Sequence, residues 1–303
     1  MKIVIAGGTG FLGRPLAEAL TADGREVVIL TRGPAASPIG EARLVSWNPT
    51  GHIGPWASEL ADADAVVNLA GESIAARRWS TVQKQKILDT RMHATRSLAA
   101  AIRAATRPPQ TFVSGSAIGY YGPLGDEIVT EERPAGSDFL AEVCRRWESE
   151  AITGVTEATR VACMRTGLVL ARDGGALPQM LLPFRFGAGG PLGSGRQYWP
   201  WIHRDDWVAL VRWTIDTPSA HGPINATAPH PVTNAAFAKA LGRALHRPVF
   251  MAAPAFALRI ALGEMADALL LSGQRAVPAK VERLGFRFRF SQVDDALRAI
   301  FSR

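Results

Sequence analysis

The run Gly7-Gly8-Thr9-Gly10-Phe11-Leu12-Gly13 spaces its glycines as a backbone that wraps a pyrophosphate requires. Gly7 lets the chain turn sharply out of a strand. Gly10 lets amide N–H groups reach phosphate oxygens that a Cβ would hold off, and Gly13 lets the next helix lie close to the sheet. The start of that helix adds unpaired N–H donors and a partial positive charge. A tight βα turn without a ligand is the competing reading. It is the weaker one, because the run follows an apolar β-rich stretch and opens a helical one.

Thr31-Arg32 closes the second apolar run, Glu26-Val27-Val28-Ile29-Leu30. NAD-binding units usually place Asp or Glu there, to accept from the ribose 2′-hydroxyl. A hydroxyl beside a guanidinium suits a 2′-phosphate instead, since phosphate takes donors and positive charge. NADP(H) is therefore expected over NAD(H), with a solvated loop arginine as the bland alternative for Arg32.

Further groups have chemistry within reach. Gly115-Ser116-Ala117-Ile118-Gly119-Tyr120-Tyr121-Gly122 follows a strand pattern and holds two of the three tyrosines of the chain. Hydroxyls at a strand's carboxyl end can hydrogen-bond a carbonyl or a nicotinamide amide; partly buried aromatics in a glycine-rich turn are the alternative. His203, with Asp206 one turn on, reads either as an acid–base group or as a packing histidine at a strand end. Lys86 and Arg91 follow a capping box at Ser80-Thr81-Val82-Gln83. They point at cofactor phosphates or line a solvated basic face; Arg96 and Arg103 read as solvated. Gly187 to Arg196 is a second glycine-rich run, but it lacks the strand before and the helix after. It reads as a substrate-side loop or lid.

The elements that must position these groups alternate between strand and helix. Lys2–Ala6, Glu26–Leu30, Arg43–Trp47, Ala65–Ala70, Thr111–Ser114 and Arg160–Leu170 read as strands. Helices are expected from Leu12 to Asp23-Gly24, from Ser80 to about Arg103 and from Asp138 to Ala151. Unalternated apolar strands suit a parallel sheet covered on both faces, whose ligands collect at the carboxyl ends. The expected fold is α/β: a Rossmann-type doubly wound parallel sheet with a smaller C-terminal α+β region. Residues 1–170 would form the NADP-binding domain. Residues 171–303 would hold the glycine-rich loop, a strand at Pro223–Ala226 returning to the sheet, and an extra C-terminal domain from about residue 233. That last part is read as a helix over Asn234–Leu245, a helix over Ala255–Leu271, an edge strand at Gly285–Phe290 and an amphipathic helix ending at Phe301.

Composition narrows the function classes. The 303 residues are 47% apolar and 20% charged, as in a globular protein. Cys144 and Cys163 are the only cysteines, so no disulfide framework or Cys-rich zinc site is expected, and no metal. Ala252–Leu271 is interrupted by Pro254, Arg259, Glu264 and Asp267 and reads as a buried or amphipathic helix, not a membrane span. Met1 leads straight into the first strand, so a cytoplasmic location is the default. The net charge of +7 is scattered, with no dense basic run. The expected partner is a small-molecule substrate, with neither nucleic acid nor membrane.

The glycine turn, Asn68-Leu69-Ala70-Gly71 and the serine–tyrosine turn together resemble the extended short-chain dehydrogenase/reductase superfamily. Arg78-Trp79, Arg91, Ser116 to Gly122, Asp138-Phe139-Leu140, Arg165 to Leu170, Gly189 to Gly195 and Trp201-Ile202-His203 narrow this. They look like the atypical "epimerase family" proteins with a short extra C-terminal domain, which Thr233 to Ala238 and Gly285-Phe286 also resemble. The resemblance covers essentially the whole chain. It implies pyrophosphate contacts at Gly7, Thr9, Gly10, Phe11, Leu12 and Gly13, and 2′-phosphate contacts at Thr31 and Arg32. It further implies adenosine contacts at Leu69 and Ala70, Lys86 and Arg91 from the following helix, and Val169 near the nicotinamide. This tips Arg91 toward function. A homodimer through the helix carrying Phe139 is the family default.

The chain departs from the superfamily at one place. Active members carry Tyr-x-x-x-Lys on the helix after the serine strand, the tyrosine relaying a proton and the lysine lowering its pKa. Phe139 and Val143 fall at those positions, and neither moves a proton. A donor must then come from Tyr120, Tyr121 or His203, with Ser116 orienting the substrate oxygen. An NADP(H)-dependent oxidoreductase on an unidentified carbonyl or sugar-like molecule is the leading expectation. A non-catalytic NADP(H)-binding sensor is the alternative, and an orthodox nucleotide-sugar epimerase or dehydratase stands third.

Overall fold

The structure is a computed structural model that describes residues 1–33 and 37–302. The first half alternates as β1 (Lys2–Ala6), α1 (Gly13–Ala22), β2 (Glu26–Thr31), β3 (Arg43–Ser46), β4 (Ala65–Asn68), α2 (Thr81–Ala104), β5 (Thr111–Ala117), β6 (Ile128–Val129) and α3 (Phe139–Gly154). There follow β7 (Arg160–Thr166), β8 (Leu168–Leu170), α4 (Leu177–Arg185), β9 (Tyr198–Trp199), β10 (Trp201–His203), α5 (Arg204–Asp216) and β11 (Gly222–Ala226). The remainder is β12 (Val232–Thr233), α6 (Asn234–Leu245), α7 (Ala255–Leu262), α8 (Glu264–Ala266), β13 (Arg275–Ala276), α9 (Ala279–Arg283) and α10 (Val293–Phe301).

Seven strands form one sheet in the order β11-β7-β5-β4-β1-β2-β3, every pair parallel. Its strands are apolar on both faces because helices cover both. Ile3 and Ile5 share one core with Leu16 and Leu20 of α1 and Trp207, Leu210 and Val211 of α5. Val4 and Ala6, pointing the other way, share a second core with Ala94, Leu98 and Ile102 of α2 and with Trp47 and Trp56. The strand order reverses between β1 and β4, so a crevice opens at their carboxyl ends. A third core joins Leu177, Leu181 and Phe184 of α4 to Phe237, Leu241, Leu297 and Ile300.

Three sequence expectations are corrected. Gly285–Phe290 is not a strand: its alternation is real, with Phe286 and Phe290 buried, but Arg289 and Phe290 donate their N–H groups to the Asp206 carboxylate, at 2.9 Å each, instead of to a neighbouring strand. Ala255–Leu271 is not one helix, because Gly263 takes φ +63° and ends α7. The stretch Arg160–Leu170 divides at Gly167, where β7 stays in the main sheet and β8 leaves it to pair with β10. Ser80 caps α2 as expected, accepting from the Gln83 N–H. Among the described residues no helix is long and apolar enough to cross a membrane.

Candidate functional site: the crevice at the ends of β1, β4 and β5

The glycine turn lies at the crevice. Gly7 has φ +81°, and a Cβ there would sit 2.9 Å from the Leu69 carbonyl carbon, so the turn runs tight against the end of β4. A Cβ on Gly13 would collide with the Gly7 carbonyl oxygen. Gly10 differs: its Cβ would meet only that oxygen, at 3.3 Å, and Thr9 and Gly10 are exposed. The next helix, α1, starts with no side-chain cap and no acidic residue in its first turn. Free amide donors beside an open glycine form a cradle that fits a pyrophosphate. Phe11 and Leu12 are half-buried, and the Phe11 ring packs against Gly174 and Gly175 in the loop after β8. Val169 on β8 is buried and pairs with Ile202.

Two further basic positions approach the same edge. Arg32 is exposed after β2, where the Thr31 hydroxyl donates to the Gly33 carbonyl at 2.7 Å. Lys86 lies 3.0 Å from Glu72 and is the main reason the Glu72 carboxyl lies below the usual range; the charge of Arg32 adds to the effect. Arg91 is different. Its Nη1 donates to the carbonyls of Glu72 and Ile87 at 2.9 and 3.0 Å, and the guanidinium lies 5.0 Å over the Trp147 ring. Among the described residues it has no ion pair. A largely desolvated guanidinium without a carboxylate is a ready receptor for an anion. Leu69 and Ala70 are half-buried between the turn and this arginine, and the end of β4 is fixed by Asn68, whose Oδ1 accepts from the Ala70 N–H at 3.2 Å.

At the end of β5 the hydroxyls are joined by charges that the sequence reading did not assign. Ser116 Oγ donates to Glu148 at 2.6 Å. Arg165 grips Glu148 through Nε and Nη2, both at 2.8 Å, and its Nη1 donates to the Tyr121 hydroxyl at 2.9 Å. Tyr121 in turn donates to Asn225 Oδ1 at 2.6 Å. All five residues are buried. Burial pushes the Tyr121 phenol up to about 12. Ser116 and Tyr121 thus hold their protons inside the protein. Tyr120 is half-buried, with the Arg165 guanidinium 3.5 Å from its ring centroid. Among the described residues the Tyr120 hydroxyl has no hydrogen-bond partner. The missed signal was compositional: Arg165 interrupts a strand core, and Glu148 sits on the helix face of Cys144, Trp147 and Ala151. A charge in such a place must be paired.

His203 does not meet Asp206 as expected. Its Nδ1 accepts from the Asp205 N–H at 3.1 Å, capping α5, and its ring stacks on Phe290 at 4.2 Å. Asp206 turns to the backbone at 289–290 instead. Phe139 opens α3 with its ring edge-on to Trp79 at 5.2 Å and the Lys84 ammonium 4.7 Å above it; Val143, one turn later, is buried. The loop Gly187–Arg196 is tied to the C-terminal region. The Leu192 N–H donates to Asn234 at 2.7 Å, and Gln197 donates to the carbonyls of Leu192 and Leu270 at 3.0 and 2.7 Å.

A parallel sheet reversing between β1 and β4, with a glycine turn opening the first helix at that reversal, defines a Rossmann-type dinucleotide fold. The chain belongs to the NAD dependent epimerase/dehydratase family, whose model matches residues 3–226; a domain of unknown function (DUF1731) matches residues 253–300. It is 43% identical over 296 residues to the epimerase family protein ML0860 of Mycobacterium leprae, covering 97% of this chain and 94% of the relative. It is 41% identical to the chloroplastic SDR39U1 homolog of Arabidopsis thaliana, over 99% of this chain and 86% of that one. The crystal structure of human epimerase family protein SDR39U1 (isoform2) with NADPH superposes with a TM-score of 0.89 at 35% identity, covering 100% of this chain and 99% of that one. The family resemblance read from the motifs is therefore confirmed along the whole chain.

Proposed function

We propose that the protein binds NADP(H) in the crevice and acts as an oxidoreductase on a small carbonyl or sugar-like molecule. The observation that carries this is the open Gly10 cradle on a turn that abuts the end of β4, where Gly71 lies against Arg91, an arginine with no carboxylate partner. The NADPH held by human SDR39U1 supports it. In this reading Gly7, Thr9, Gly10, Phe11, Leu12 and Gly13 line the pyrophosphate, and Thr31 with Arg32 takes the 2′-phosphate. Leu69 and Ala70 flank the adenosine, Lys86 and Arg91 add charge from α2, and Val169 lies toward the nicotinamide. Residues 1–170 carry the cofactor and residues 171–303 the substrate, and two copies pair through α3.

When bound, NADPH supplies a hydride. The chain must supply the proton, and Tyr120 is the tyrosine whose hydroxyl is not already engaged. Ser116 is buried and its proton is held by Glu148. His203 keeps a capping role. A second reading, an NADP(H)-binding sensor without catalysis, is favoured by the apolar Phe139 and Val143 standing where a tyrosine and a lysine would act. Loss of NADPH fluorescence on adding a panel of aldehydes, ketones and nucleotide sugars separates the two. Turnover by the wild type that Tyr120→Phe abolishes supports the oxidoreductase. Tight binding with no turnover supports the sensor.

A further inference from the structure

Two stretches of the C-terminal half contain no Asp or Glu. Residues 174–204 hold Arg185, Arg196 and Arg204; residues 234–263 hold Lys239, Arg243, His246, Arg247 and Arg259. The fold lays them side by side. The N–H groups of Phe250 and Met251 donate to the Gly189 carbonyl at 3.2 and 3.3 Å, and that of Ala253 donates to Pro191 at 2.9 Å.

Large apolar side chains stand in solvent along this seam. Leu182 and Phe186 on and after α4 are 56% and 80% exposed, Phe250 and Met251 are 69% and 52%, and Phe256 and Ile260, one turn apart on α7, are 66% and 72%. The helix α7 buries none of its residues although most of them are apolar. Single exposed apolar residues are ordinary, but a cluster of this size marks an interaction surface. Beside it, Lys239, Arg243, His246 and Arg247 line one depression at the end of α6. Arg204, Arg243 and Arg259 are paired with Asp173, Asp294 and Asp267. Among the described residues Lys239, Arg247 and Arg185 have no ion pair.

The chemistry selects the partner. With Lys239, Arg247 and Arg185 left over after these pairs, the face carries a net positive charge and fits a negative surface opposite it. A second copy of the chain would set cations against cations. Nucleic acid would use the cations but leave the aliphatic Leu182, Met251 and Ile260 without a role. An anionic lipid surface uses both sets: headgroups meet Lys and Arg, while Phe, Met, Leu and Ile enter the acyl boundary. Crossing a bilayer and lying on one are different demands, and eight residues of α7 suffice only for the second. We propose that this face docks on anionic phospholipid membranes, with α7 lying in the headgroup plane.

Flotation of the full chain with vesicles tests this, using phosphatidylcholine alone or mixed with phosphatidylglycerol. Binding is expected only to the mixed vesicles and should weaken with salt. Each surface cation contributes about fivefold to partition, so Lys239→Glu with Arg247→Glu should lower it by about tenfold or more. Phe256→Asp with Ile260→Asp should abolish it while the circular dichroism spectrum and thermal midpoint stay near wild type. Equal binding to phosphatidylcholine alone, no binding to either, or binding unchanged in both variants overturns the proposal. Self-association of the wild type in lipid-free sedimentation, lost in Phe256→Asp with Ile260→Asp, also overturns it and assigns the face to a second copy.

Discussion

Removing the Glu148 carboxylate should be among the costliest single changes in this protein. Arg165 and Glu148 have side chains 3% and 7% exposed and meet through two 2.8 Å bonds. Glu148→Ala leaves the guanidinium buried with hydrogen bonds only to Tyr121 and the Glu131 carbonyl, beside the Tyr120 ring. Breaking a buried pair from one side costs about 3–5 kcal/mol, because an uncompensated charge remains. The Ser116 hydroxyl also loses its acceptor, but that loss belongs to the same network and does not simply add. Replacing both partners, Glu148→Met with Arg165→Met, removes the charges and should recover most of the loss. Urea denaturation of the wild type, Glu148→Met, Arg165→Met and the double variant gives the cycle. A single-variant cost under about 1 kcal/mol would show that the pair is solvated. A double-variant cost equal to the sum of the singles would show that the two side chains are not coupled, and the reasoning would fail.

Other outcomes follow from the same geometry. Gly13→Ala forces a Cβ onto the Gly7 carbonyl and should cost about 1–3 kcal/mol in urea denaturation. Gly10→Ala should cost less than about 1 kcal/mol, since its Cβ meets only one atom at 3.3 Å, yet weaken NADPH in a fluorescence titration. Asp206→Ala frees two backbone N–H groups and should expose residues 286–290 to hydrogen exchange, at a cost of about 1–3 kcal/mol. Burial raises the carboxyl pKa of both Asp206 and Glu131. The folded chain therefore binds more protons than the unfolded chain between their ordinary and raised values, so their contribution to stability falls as pH rises through that interval. Urea midpoints measured across that range should show this slope, and Asp206→Asn should reduce it.

Much of the fold was legible because its signals are local. Val, Ile and Leu runs without alternation announced the parallel sheet, and Ser80 announced a helix start. The C-terminal errors came from long-range partners. Phe286, Phe288 and Phe290 alternate as a strand would, but the group that receives the backbone N–H bonds is a carboxylate eighty-odd residues earlier in the chain. Apolar periodicity ran through Gly263 because the pattern carries no sign of its positive φ. The glycine turn at the crevice between β1 and β4 could be read from glycine spacing. The buried charge network could not, since nothing local tells Arg165 that its partner is Glu148. The same gap set His203 beside Asp206, which faces another element, while the ring packs on Phe290 as a strand-end histidine.

The most direct test of the central claim is the affinity of the purified chain for NADPH and NADH, with Arg32→Ala measured beside it. Charge-assisted hydrogen bonds contribute about 1.5–3 kcal/mol, so NADPH should bind roughly tenfold or more tighter, and the preference should collapse in the variant. Equal affinity for the two nucleotides, or a preference unchanged by Arg32→Ala, would contradict the account.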